Sequence, residues 1–204
     1  LGVSGPEETS VPTETPTETA TATEVAPPTA TPETAIGINC PNSFANYPAQ
    51  INSILNTVDF GIEGLRSYLD DCGSAVEDGL IVQDLNGDGA DELLVLYADP
   101  NVPEAAPAGD MIVFAFGDTG FTESFRARAG GRVAILELAD VNLDGRGDIV
   151  WSDTTCGANT CFDTIQVRSW DGAKWANWTV QPITMAYAET TLDDVSEVGQ
   201  GAEI

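Results

Sequence analysis

The chain has 204 residues, with 33 acidic side chains against 7 basic ones and no histidine, for a formal net charge of −26. So few cations exclude the basic footprint that nucleic-acid binding requires, and disfavour an anionic membrane surface. No apolar run approaches the ~20 residues of a membrane span, and the opening on Leu1 leaves room for a signal peptide already removed.

Residues 1–38 read as an extended stalk. Up to residue 35 there is no Lys or Arg, and the only large apolar residues are Leu1, Val3, Val11 and Val25. A low-complexity run of Thr, Pro, Glu and Ala buries too little surface to offset its own chain entropy. Proline and like-charge repulsion favour polyproline-II geometry, which at ~3.1 Å per residue reaches roughly 100 Å. The remaining domain is only roughly 40 Å across, so the stalk can extend well past it. Its Thr/Pro composition is that of an O-glycosylated stalk, with Thr13, Thr15, Thr17, Thr19, Thr21, Thr23, Thr29 and Thr31 as acceptors. A plain flexible linker is the alternative.

Residues 39–204 are rich enough in Leu, Ile, Val and aromatics to bury a core. A helical preface, 47–72, comes first. Ile51, Ile54, Leu55 and Val58 fall on one helical face, and Ile62, Leu65, Tyr68 and Leu69 on a second. Pro48 suits a first turn, Asp59-Phe60-Gly61 marks a break, and Cys72-Gly73 ends the second helix. The pair is expected to pack on a sheet behind it.

The four cysteines allow three full pairings. Cys156 and Cys161 are spaced for a short local loop, which leaves Cys40 with Cys72 across the helical preface. The competing zinc site lacks both a Cys-x-x-Cys spacing and a histidine. Disulfides imply an oxidising compartment.

From Leu80 to Val180 the sequence duplicates, with repeat one over 80–126 and repeat two over 136–180. Asp84-Leu-Asn86-Gly-Asp88-Gly-Ala90-Asp-Glu92 is matched by Asp140-Val-Asn142-Leu-Asp144-Gly-Arg146-Gly-Asp148, each between apolar strands. Downstream, Phe116…Phe121 and Trp170…Trp175 each bracket a Gly/Asp turn, a hairpin signature. Calcium takes six to eight oxygens, and alternate residues of a tight loop can aim theirs at one point. The acid excess also repels itself unless cations offset it. The expectation is two calcium sites. Side chains of Asp84, Asn86, Asp88 and Glu92 and the carbonyl of Ala90 would form the first. Asp140, Asn142, Asp144 and Asp148, with the carbonyl of Arg146, would form the second. Metal-free Asx turns are the alternative.

The paired Asp-x-Asn-x-Asp-Gly-x-x-Asp loops resemble the FG-GAP repeat of integrin α-subunit propellers and its VCBS-type bacterial surface relatives, over about half the chain. The resemblance implies a calcium-binding role and an extracellular setting. Glu92 stands where the family has its final Asp, with Asp91 beside it. Since a propeller needs at least four blades, the expected fold is mainly β (α+β). Two duplicated β units would form a sandwich-like or partial-propeller arrangement behind the helical pair.

Arg146-Gly147-Asp148 spells an integrin-recognition tripeptide, but Asp148 is already assigned to a loop. Asn177-Trp178-Thr179 is a sequon of a kind common by chance. Trp151, Trp170, Trp175 and Trp178 suit a sugar-binding platform or, more often in hairpins, core packing. With no histidine, Lys174 as the only lysine and no positive sign of a carboxylate pair, a non-enzyme is expected. The functional expectation is an extracellular, glycosylated structural subunit that self-assembles into a filament or surface layer through its N-terminal segment. The alternative is a monomeric, stalked cell-surface adhesion or carbohydrate-binding module.

Overall fold

The computed structural model describes residues 39–57, 61–103, 105–128, 130–179, 181 and 183–186. The chain divides into Leu1–Gly37 and Ile38–Ile204; the stalk and its threonine acceptors lie outside the described residues, as do Val58, Asp59, Phe60 and Val180.

A single 3-10 turn, Phe44–Asn46, leads into α1 (Tyr47–Leu55) and α2 (Gly61–Asp71). Pro48 sits in the first turn of α1, where a missing N–H costs nothing. The apolar stripes are Ile51, Ile54 and Leu55 on α1 and Leu65, Tyr68 and Leu69 on α2, all buried. Past α2, Gly73 adopts a left-handed φ of 65° and the Ser74 N–H reaches back to the Leu69 carbonyl, closing the helix.

Two antiparallel sheets follow in the same order of construction. The first runs β1 (Ala75–Gln83), β2 (Glu92–Ala98), β3 (Gly109–Gly117) and β4 (Gly120–Arg128), each strand beside the next. The second runs β5 (Arg132–Ala139), β6 (Asp148–Cys156), β7 (Cys161–Trp170) and β8 (Trp175–Asn177), with β9 (Ile183–Ala186) also on β7. The hairpin aromatics face each other, Phe116 opposite Phe121 and Trp170 opposite Trp175.

After Glu92, strand β2 is an unbroken apolar run, Leu-Leu-Val-Leu-Tyr-Ala, because both of its faces are covered. Leu93, Val95 and Tyr97 pack with Ile112, Phe114 and the helices. Leu94 and Leu96, with Met111 and Val113, turn the other way and meet Val133, Ile149 and Trp151 of the second sheet. The layers are therefore helical pair, first sheet, second sheet. Each fully buried side chain of this kind contributes about 1.5–3 kcal/mol, so the shared layer of Leu94, Met111, Val113, Ile149 and Trp151 is a large part of what joins the two sheets.

The molecule is mainly β with a short N-terminal helical pair. Neither sheet closes into a barrel or curls into propeller blades: among the described residues both are open, with path ends at β1 and β4 in the first and at β5 and β8 in the second. This overturns the partial-propeller expectation. In a propeller, sheets radiate around a channel; here the apolar alternation of β2, β3 and β6 stacks one sheet on the other.

Candidate functional site: two aspartate loops and an apolar groove

Each aspartate loop joins the first two strands of its sheet, and its oxygens are engaged by the loop's own backbone. In the first, Asp84 accepts from the N–H groups of Gly87 (2.8 Å) and Gly89 (3.0 Å). Asn86 Oδ1 accepts from Asp88 N–H and Asp88 Oδ1 from Ala90 N–H, both at 2.8 Å. Glu92, only 2 % exposed, reaches back to the N–H groups of Leu85 and Asn86 at 2.9 and 3.1 Å, and takes the Asn86 side-chain amide at 2.6 Å.

The second loop repeats this. Asp140 accepts from Asp144 and Gly145 N–H, Asn142 Oδ1 from Asp144 N–H, and Asp144 Oδ1 from Arg146 N–H. Asp148, 0 % exposed, holds the N–H groups of Val141 and Asn142 at 2.9 and 3.2 Å. Arg146 lays its guanidinium 3.4 Å from Asp144 and 3.4 Å from the Trp170 carbonyl.

These are successive Asx turns closed by an interior carboxylate. Among the described residues, no group of three or more Asp, Glu, His or Cys is placed to hold a metal ion. The expected calcium sites at Asp84, Asn86, Asp88, Ala90 and Glu92, and at Asp140, Asn142, Asp144, Arg146 and Asp148, are therefore corrected. The spacing that suits a cation also suits a backbone that ligates itself, since alternate side chains of a tight loop converge on its N–H groups as readily as on an ion. Desolvation is the largest influence on Glu92 and Asp148 and raises both pKa values above their ordinary values, against the lowering effect of backbone hydrogen bonds at Glu92 and of the Ser169 side chain and backbone hydrogen bonds at Asp148.

The other sequence-marked residues fall into place around the loops. Cys40 is bonded to Cys72 and Cys156 to Cys161. The first bond ties the start of the described chain to the end of α2, and the second closes the β6–β7 turn. The Arg-Gly-Asp tripeptide presents no free carboxylate, because Asp148 is interior. Trp151 and Trp175 are buried, and Trp170 meets Trp175 edge-on. Only Trp178 stands out, 56 % exposed, and a multi-tryptophan platform does not form.

A feature the sequence reading missed lies beside the first loop. The helical pair covers most of the first sheet's outer face but leaves Val82 (51 % exposed) and Phe116 (59 % exposed) bare. With Phe121 and Ile62 they line an apolar groove of about 650 Å³, edged by Glu63, Asp91 and Glu92. Phe116 and Phe121 pack with ring centroids 5.0 Å apart. Asn56, just past α1, holds Phe121 in place, accepting its N–H at 2.8 Å and donating to its carbonyl at 2.9 Å. Gly120 makes that approach possible: its φ is +98°, and a Cβ there would lie 2.2 Å from Asn56 Oδ1. The signal available in the sequence was Val82 and Phe116, apolar residues continuing the buried alternation of their strands past the reach of two short helices.

No protein-family model, no curated protein and no solved structure matches this chain. With open, stacked sheets and self-ligated loops, the resemblance to FG-GAP and VCBS-type repeats does not hold, and the fold stands on its own geometry.

Proposed function

We propose that this chain is a non-enzymatic, extracellular structural subunit, its copies associating into a filament or surface layer and its N-terminal segment serving as an O-glycosylated stalk. The observation that carries this reading is the apolar groove at Val82 and Phe116, on a chain whose net charge of −26 otherwise favours solvation. Apolar side chains gathered into one groove on such a surface, rather than scattered singly, suit an association site. The two disulfides support an oxidising compartment, where such bonds persist. No described helix is long and apolar enough to cross a membrane.

Charge sets the conditions of the test. Like-charged copies repel at low ionic strength, and the Debye length falls from about 30 Å at 0.01 M to about 8 Å at 0.15 M. Sedimentation velocity and negative-stain microscopy on the full chain, across that range of salt, should show species larger than a monomer growing with salt and concentration. Monodisperse monomers at high concentration and high salt would sink the reading.

A further inference from the structure

We propose that the groove at Phe116 takes the uncharged stretch Val25–Pro32 of a second copy's N-terminal segment, docked as a polyproline-II strand. The inference rests on the self-association reading and names the occupant. Three observations carry it.

The groove is apolar and aromatic, built from Ile62, Val82, Phe116 and Phe121. Aromatic-lined grooves recognise proline-rich strands because the strand is pre-extended and loses little entropy on docking. Its edge is acidic, at Glu63 and Asp91, so a segment carrying carboxylates is repelled. The N-terminal segment has glutamates at positions 7, 8, 14, 18, 24 and 33, but Val25-Ala-Pro27-Pro28-Thr-Ala-Thr-Pro32 has none and holds three prolines. It is the one long charge-free stretch between those glutamates that combines prolines with an apolar Val25.

Length fits as well. The eight steps from Pro32 to Cys40 span about 25 Å in polyproline-II geometry, and Cys40 is fixed to Cys72. A donor held at Cys40 can therefore seat this stretch on a copy packed directly against it. Glycans on Thr29 or Thr31 would crowd the same contact, so docking requires these two acceptors bare while the stalk carries its glycans on threonines 13 to 23.

The experiment uses the full chain with a diazirine-bearing leucine analogue in place of Val25, mixed with isotopically heavy copies lacking the analogue and irradiated at a salt concentration that gives assemblies. Mass spectrometry should find light-to-heavy cross-links at Val82 and Phe116. Phe116→Asp should cut their yield roughly tenfold or more, as loss of a central aromatic anchor does, while circular dichroism and the melting temperature stay unchanged. Assemblies that persist with cross-links elsewhere overturn the occupant and leave self-association standing. Cross-links confined to single copies overturn the exchange between copies. Absence of any assembly removes the underlying reading together with this one.

Discussion

The two sheets begin alike, strand, aspartate loop, strand, and end in hairpins with paired aromatics, yet they are finished differently. The first is covered on both faces, by Tyr47, Ile51, Leu65 and their neighbours on one side and by the second sheet on the other. The second shares only the middle layer; its far face has a small cluster of Val150, Ile165 and Val167, with Leu136 and Val141 partly buried against it. Ile183 and Met185 of β9 remain exposed. One loop plan thus serves a sheet with its own core and a sheet that relies on a borrowed one.

Trp151 is the place to break that dependence. It is among the largest fully enclosed side chains, pointing from β6 into the shared layer. Trp151→Ala should cost about 3–5 kcal/mol, and both sheets should melt together in calorimetry, because the cavity opens in the layer they share. Trp151 Nε1 has no hydrogen-bond partner among the described residues. Trp151→Phe removes that stranded donor as well as volume, and should cost clearly less than the alanine variant. A first sheet that survives Trp151→Ala with its own later transition would show the dependence to run one way only.

Much of this architecture was legible in the sequence. Helical spacing over Ile51–Leu55 and Leu65–Leu69 located the pair, because a stripe facing a single sheet repeats with the helix period. The aromatic brackets located two hairpins, because Gly/Asp turns have few alternatives. The duplication was visible too, but its meaning was not. Asp84, Asn86 and Asp88 carry the same spacing whether they converge on an ion or on their own N–H groups, and sequence does not record which way an oxygen points. The second difficulty was inferring architecture from a loop. The layered packing is set by the two-sided apolar runs of β2 and β3, far from the aspartates that suggested a propeller. The groove was hidden for a third reason: it depends on how far the helices extend over the sheet.

The interior carboxylates sharpen the comparison through pH. Glu92 serves the first loop and Asp148 the second, each with a pKa raised by desolvation. The folded state then holds protons that the unfolded chain has lost, so stability falls as pH rises. Their contribution is fully present below the ordinary values of 4.5 and 3.8, and is lost as pH climbs through the raised ones. Glu92→Gln and Asp148→Asn should each flatten the slope of melting temperature against pH from 4 to 7, and the double variant should flatten it further. Alanine at either site strands two loop N–H groups and should cost about 1–3 kcal/mol. A wild-type slope of the opposite sign would mean that the hydrogen bonds to these carboxylates, from the loop backbone and from Ser169, outweigh burial.

The smallest expected effect separates the loops most directly. Gly87 sits at φ 76° in the first, and Leu143 occupies the equivalent position at φ 59° in the second. A left-handed backbone costs an ordinary L-residue about 1–2 kcal/mol, and glycine escapes that cost while giving up about 0.5–1 kcal/mol of unfolded-state entropy. Leu143 is exposed and belongs to none of the buried clusters, so little packing is lost on its removal. Leu143→Gly should therefore raise stability by up to about 1 kcal/mol, read as a shift in the denaturation midpoint at constant slope. Gly87→Leu should do the reverse and more, since its Cβ would lie 3.0 Å from Arg146 Cγ as well as in the strained region. That contact also ties the first loop to the second, so the loss should shrink in an Arg146→Ala background. A loss of the same size in both backgrounds would leave backbone strain as the whole cause, and the two loops would then be independent despite their contact.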